Sequence, residues 1–242
     1  MASRFSSNRF FSKRAWGQAA ALAVALTAPM AATAIAQTGV SAEQSAAETT
    51  VETVFDKLPE QIQEMLAAGE VAVEASREGD RGQFVARVLV DAPTATAWDV
   101  LTDYDNFERF LPNVEDSRLL ESRENVRVFE QLNVISVVPG VVDIRSRVKI
   151  ESVLSEINRV DFSLVEGDLA MLQGAWLLVP VNGEDGELLD KVLITHQVDI
   201  DPGESSPRGL FFSTYRLVLE DSLLAAKTET ELRARQQAGV FE

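Results

Sequence analysis

The 242-residue chain contains no cysteine and a single histidine. The first absence excludes thiol catalysis, iron–sulfur clusters and cysteine-type zinc sites; the second excludes His-rich metal centres. No G-x-S-x-G elbow, Walker A loop or dinucleotide glycine fingerprint occurs. Positive charge is scarce: 22 Lys and Arg stand against 38 Asp and Glu. Four of the basic residues, Arg4, Arg9, Lys13 and Arg14, fall in the first 36 positions, which hold no acidic residue. The remainder therefore has 18 basic against 38 acidic residues, a net charge of −20. Such a polyanion repels phosphate backbones and anionic membrane surfaces, so nucleic acid is excluded as a partner. The charge favours solubility and neutral or apolar ligands.

Residues 1–36 read as a signal peptide. A basic start precedes a small, apolar run from Ala19 to Ala36, and Ala34-Ile35-Ala36 forms an A-x-A signal before Gln37. Cleavage is expected after Ala36, with export to the periplasm, a thylakoid lumen or the outside. The alternative is a membrane anchor, but the run is rich in Ala and Thr rather than Leu. Residues 37–54 lack apolar periodicity and read as a disordered acidic linker. Residues 55–68 form a short amphipathic helix, with Pro59 in its first turn, Glu60 and Glu64 exposed, and Gly69 at its end. Residues 69–237 make one domain, large enough to bury a core without disulfides.

From Gly69 the apolar period becomes two. Val71–Val73 and Phe84–Val90 form a hairpin around Glu78–Gly82. Two short helices occupy Ala92–Asn113, the first with Trp98 buried against the sheet. Strands follow near 114–122, 126–137, 142–153, 159–165, 175–181 and 191–200. In the third of these, Val142, Ile144, Val148 and Ile150 face one way while Asp143, Arg145, Arg147 and Lys149 face the other. Val192, Ile194, His196, Val198 and Ile200 repeat the alternation, which describes a half-buried antiparallel sheet. The last element is a helix over 207–237, with Phe211, Tyr215, Val218, Ser222 and Ala225 on one stripe and Arg216, Glu220, Lys227 and Glu231 opposite.

Turns in an antiparallel meander alternate between the two ends of the sheet. The turns at 137–141 and 168–172 are apolar, while those at 155–158 and 182–187 are polar. The final strand returns to the apolar end. Loops normally prefer polar residues, so Val138, Val141, Leu169, Met171 and Leu172 are expected to surround the mouth of a cavity, with Phe211 beside them.

Val90-Asp91-Ala92-Pro93, Trp98, Leu101-Thr102-Asp103-Tyr104, Phe107 and Phe110-Leu111-Pro112-Asn113 form one block of residues with a familiar pattern. Glu166-Gly167-Asp168 and Gln173-Gly174-Ala175-Trp176 form a second. On these the chain resembles the START-like, or SRPBCC, superfamily, within it the polyketide cyclase/dehydrase and coenzyme Q-binding branch. The resemblance spans about Gly69 to Gln236. It implies an α+β helix-grip fold: a curved antiparallel sheet of about seven strands wrapped around the long C-terminal helix, with two short helices closing a cavity. Tyr104, Phe107, Phe110 and Leu111 would line that cavity from the short helices. Ile144, Val148, Trp176, Ile194 and His196 would line it from the strands, and Phe211, Tyr215 and Val218 from the long helix.

His196 sits on an apolar strand face and, with Tyr215, is a candidate for proton transfer; no sequence signal supplies a nucleophile or an orienting partner. Glu130 and Glu166 fall among apolar residues, and an outward register is expected for both. These features point first to a non-enzymatic carrier or chaperone for a small lipophilic molecule such as a quinone, isoprenoid, carotenoid or lipid. No metal or cofactor is implied. The apolar loops would permit transient contact with a membrane or an envelope protein. Two alternatives stay open: a cyclase/dehydratase-like enzyme that shapes its substrate, with His196, Tyr104 or Tyr215 moving protons, and an envelope assembly or interaction module.

Overall fold

The computed structural model describes residues 54–138, 142–155, 158–182, 188–204 and 207–239. The signal peptide, nearly all of the linker and Val141 lie outside these residues, as does the side chain of Val138.

Strict alternation makes the strands. In β2 (Arg81–Val90), Gly82, Phe84, Ala86, Val88 and Val90 are buried and the residues between them are not. β1 (Ala72–Glu78) precedes it across a tight turn. After β2 the chain leaves the sheet for α2 (Thr94–Leu101), a 3₁₀ turn (Tyr104–Asn106) and α3 (Phe107–Phe110). Pro93 at the N-cap of α2 presets the helical entry. A meander follows: β3 (Val114–Arg123), β4 (Val126–Val138), β5 (Val142–Ser155), β6 (Arg159–Gly167), β7 (Met171–Asn182) and β8 (Leu188–Asp201). All eight strands form one sheet, ordered β1-β2-β8-β7-β6-β5-β4-β3, and every neighbouring pair is antiparallel. The chain ends in α4 (Arg208–Ala238).

Each face of the sheet is covered by a different helix. α1 (Glu60–Ala67) lies on the outer face, where Leu66, Ala72, Val181 and Leu193 form a small core with Leu58, Ile62 and Met65 around them. α4 and the short helices cover the inner face, against the main core of Phe84, Val88, Phe129, Ile150, Ile194 and Leu223. α2 is fixed to it by Ala97 and Leu101. Trp98, expected to be buried, is only half-buried at the edge of that core. Ala97, Val100 and Leu101 make the deep contact, because an eight-residue helix turns only a narrow face inward.

The inward face of α4 is wider than the expected stripe, of which Phe211, Tyr215, Val218 and Ser222 do face inward. Phe212, Leu219, Leu223, Ala226 and Thr230 are buried, and Ala225 stands beside the stripe. Lys227 and Glu231 do not face away. Lys227 Nζ donates to the Leu89 carbonyl at 2.8 Å and pairs with Glu231, and Glu231 Oε1 accepts from the Asp91 backbone N–H at 3.1 Å. Their long apolar stems cross the packed surface and deliver polar tips to the end of β2. Arg233 likewise bridges Glu229 at 2.7 Å and Asp103 at 2.9 Å, tying α4 to the loop after α2.

The C-terminal ends of β4, β6 and β8 lie at one end of the sheet, as antiparallel order requires. Ala170 N–H donates to the Asp201 carbonyl at 3.0 Å, joining two of them. Met171 and Leu172 belong to β7 rather than to the turn. The β4 and β6 turns are not level. β6 leaves β5 at Val148, paired with Gly167, whereas β5 begins at Val142. The β4–β5 hairpin therefore runs about 20 Å beyond the Leu169 turn at the usual strand rise.

Gly167 makes that departure. Its φ is +153°, and a Cβ there would lie 2.4 Å from the Arg147 carbonyl oxygen. Asp168 locks the crossing: its N–H donates to the Arg147 carbonyl at 3.0 Å, and its carboxylate accepts from the Arg147 N–H at 2.8 Å. Gly167→Ala should lower unfolding free energy by about 3 kcal/mol, as backbone strain and overpacking combine. A urea midpoint unchanged from wild type would contradict this reading of the crossing.

Candidate ligand cavity

A cavity of ≈ 190 Å³ lies between the inner face of the sheet, the short helices and α4. That is room for far more than a few waters. α4 contributes Phe211, Tyr215, Val218, Leu219, Ser222 and Ala226. The short helices contribute Leu101, Tyr104, Phe107, Phe110 and Leu111. β4 and β5 supply facing positions, since directly paired residues share a face: Phe129 with Ile150, Gln131 with Val148, and Asn133 with Ser146. Trp176 and His196 close the wall on β7 and β8.

Tyr104 is positioned by β3. Ser117 Oγ–H donates to the Tyr104 carbonyl at 2.6 Å, and Asp105 Oδ1 accepts from the Leu119 N–H at 2.7 Å. The ring stacks on Phe129 with centroids 4.5 Å apart and meets Phe107 edge-on. Burial raises its phenol above the ordinary value, partly offset by the neighbouring Ser152 hydroxyl and by Arg127. No group reaches Tyr104 Oη in full hydrogen-bond geometry among the described residues. Tyr215 stacks on Phe211 and meets Phe84 edge-on, and burial pushes its phenol up as well.

His196 lies parallel to Trp176, ring centroids 3.6 Å apart, with Phe162 at 5.5 Å. Burial lowers its pKa to about 3, so it is neutral at physiological pH. Its Nδ1 has no partner among the described residues.

Most residues expected to line a cavity do so: Tyr104, Phe107, Phe110, Leu111, Val148, Trp176, His196, Phe211, Tyr215 and Val218. Leu169 and Leu172, expected at its mouth, also border it. Three others do not. Ile194 is packed in the core, fully buried. Ile144 lies further out on the β4–β5 hairpin, half-buried, one inward position beyond Ser146. Met171, at the start of β7, alternates with the inward Leu172. Glu130 faces outward, paired with Arg147 at 2.7 Å, and Glu166 is exposed. The polar lining residues Gln131, Asn133, Ser146 and Ser152 were not anticipated, although counting by twos from Val148 and Phe129 reaches all four. Among the described residues, no group of His, Asp and Glu is placed to hold a metal ion.

A curved antiparallel sheet gripping a long helix around an apolar cavity is the START-like helix-grip arrangement. The family model described as "Polyketide cyclase / dehydrase and lipid transport" matches residues 90–225. The chain belongs to that family. Solved structures agree on the fold. A STAR-related lipid transfer protein from Xanthomonas axonopodis, 21% identical, superposes with a TM-score of 0.55 over 66% of this chain and 93% of its own. The Zhui aromatase/cyclase from a Streptomyces species, 15% identical, gives 0.54 over 63% and 95%. A protein from Thermus thermophilus, 17% identical, gives 0.51 over 64% and 98%. No curated protein matches the chain significantly.

The neutral His196 has a consequence for acid stability. Its folded pKa is below its unfolded one, so the unfolded state binds the extra proton between the two values. Its contribution is complete above about pH 6.5 and is lost as pH falls toward 3. Between pH 6.5 and 4.5 this amounts to about 2 kcal/mol. His196→Gln should flatten the stability profile over that interval in urea titrations. An unchanged slope would show that His196 is not the group responsible.

Proposed function

We propose that the protein is a non-enzymatic binding or carrier protein for a small lipophilic molecule, of the quinone, isoprenoid, carotenoid or lipid type. The observation that carries this is the cavity itself: aromatic and aliphatic on every wall, with no Asp, Glu, Lys or Arg in its lining. Burial of apolar surface would supply the affinity, and the few polar groups would set orientation. The family description, which covers both cyclases and lipid transport, is compatible with it. The basic and apolar N-terminal segment supports an exported protein, and Leu169, Leu210 and Phe211 offer a surface for brief membrane contact at the end where α4 begins.

The alternative, a cyclase or dehydratase, would use His196, Tyr104 or Tyr215 for proton transfer. The environment runs against it. A general base works best with a pKa near the working pH, and burial moves His196 down to about 3 and both phenols up.

Gentle purification followed by solvent extraction and mass spectrometry should recover a stoichiometric lipophile, and the protein should move lipid between vesicles. Val218→Trp, which grows into the empty space, should abolish both while changing stability by about 1 kcal/mol. An empty extract with no transfer by the wild-type protein would overturn the carrier reading. Turnover of a linear polyketide analogue that is lost in His196→Gln would favour the enzyme.

A further inference from the structure

Three polar atoms in the cavity's lining side chains are buried without a hydrogen-bond partner among the described residues: Tyr104 Oη, Ser146 Oγ and His196 Nδ1. Buried polar groups are nearly always satisfied, so orphans lining one cavity mark places that a bound molecule fills. The sheet register sorts them into two sets. Ser146 faces Asn133 across β4 and β5, and Asn133 Oδ1 accepts from Gln131 Nε2 at 2.8 Å. This set lies toward the end where α4 begins. Tyr104 lies beside Ser152, six residues further along β5. Ser152 faces Phe162 across β5 and β6, and the Phe162 ring is the one that touches His196. Val148 and Ile150 form an apolar stretch between the sets, which are about 20 Å apart along the strand.

Neither set contains a charge. Arg127, whose charge acts on Tyr104, stands outside the lining and donates to the Glu124 and Val126 carbonyls at 2.9 and 3.0 Å. A carboxylate or phosphate entering this cavity would lose its hydration with no counter-ion to replace it.

Building on the carrier reading, we propose that the cavity selects an uncharged lipophile with a hydroxyl or carbonyl oxygen at each end. Tyr104 holds the inner oxygen, and Ser146 with Asn133 holds the outer one. The Tyr104 and Ser146 hydroxyls donate to the ligand oxygens.

Displacement of Nile red, an uncharged probe, from the full chain tests this with three sixteen-carbon ligands at pH 8. The expected order is 1,16-hexadecanediol tighter than 1-hexadecanol by about 5-fold, as one further net hydrogen bond gives. Hexadecanoate should bind weakest, at least about 10-fold below the alcohol, from the uncompensated charge. Tyr104→Phe and Ser146→Ala remove one donor at opposite ends, and each should erase the advantage of the diol. Thermal melting shows that each variant is folded, and either alone suffices for the comparison. Hexadecanoate binding as tightly as the alcohol, a diol no better than the alcohol, or a preference untouched by either folded variant would overturn the proposal while leaving the carrier reading in place. Failure of Nile red and all three ligands to bind would overturn both.

Discussion

The cavity exists because α4 packs on one half of the sheet and stands away from the other. Its close approach is to β1 and β2. Phe212 seats directly on Gly82, where no Cβ could fit, with Arg77 stacked over its outer face. Further along, Leu219 and Leu223 join the buried β2 core, and Lys227 and Glu231 clasp the end of that strand. On the β4–β6 side no comparable anchor holds the helix among the described residues, and the sheet curves away from it. Apolar side chains facing each other across that gap cannot close it without undoing the packing on β2. The empty space is thus a product of where the helix is fastened.

That dependence explains which parts of the molecule were legible in the sequence. The strands were, because the alternation of β2 and β5 is clean, and β8 keeps an apolar inner row although α1 buries part of its outer face as well. The aromatic residues of the short helices were, because the block from Val90 to Asn113 is distinctive and places them together. The polar lining was harder to see. On β4, Leu132 and Val134 lie on the opposite face from Gln131 and Asn133, so the apolar pattern pointed the wrong way. Ser146 and Ser152 flank apolar inward neighbours and read as breaks in the pattern rather than members of it. Long charged side chains misled for another reason: Lys227 and Glu231 have the charge of an exposed face but the reach to serve a buried one. Trp98 misled by its size, since Ala97, Val100 and Leu101 take the deep position on a short helix.

The distribution of charge separates two jobs. The chain beyond its first 36 residues carries a net −20, and none of that charge reaches the cavity lining. Outward positions on the strands hold the ions, as in the cluster of Glu130 with Arg147 and Arg118 and the pair of Arg145 with Glu115. Inward positions hold aromatic, aliphatic and uncharged polar groups. One alternation along each strand therefore provides both solubility and an environment for an apolar guest, and a register slip of one residue would exchange them.

The uneven length of the β4–β5 hairpin leaves part of one strand edge open. Past Val148, β5 has lost β6 as a neighbour, so its backbone there presents unpaired hydrogen-bonding groups, a template on which a strand from another molecule could grow. Asp168 caps the first open position by accepting from the Arg147 N–H. Along this margin Arg145 and Arg147 are exposed and held in ion pairs with Glu115 and Glu130. A strand approaching edge to edge would have to accommodate these charged pairs. Charged positions on an open edge oppose strand-on-strand association while the inner face of the ribbon stays free to line the cavity.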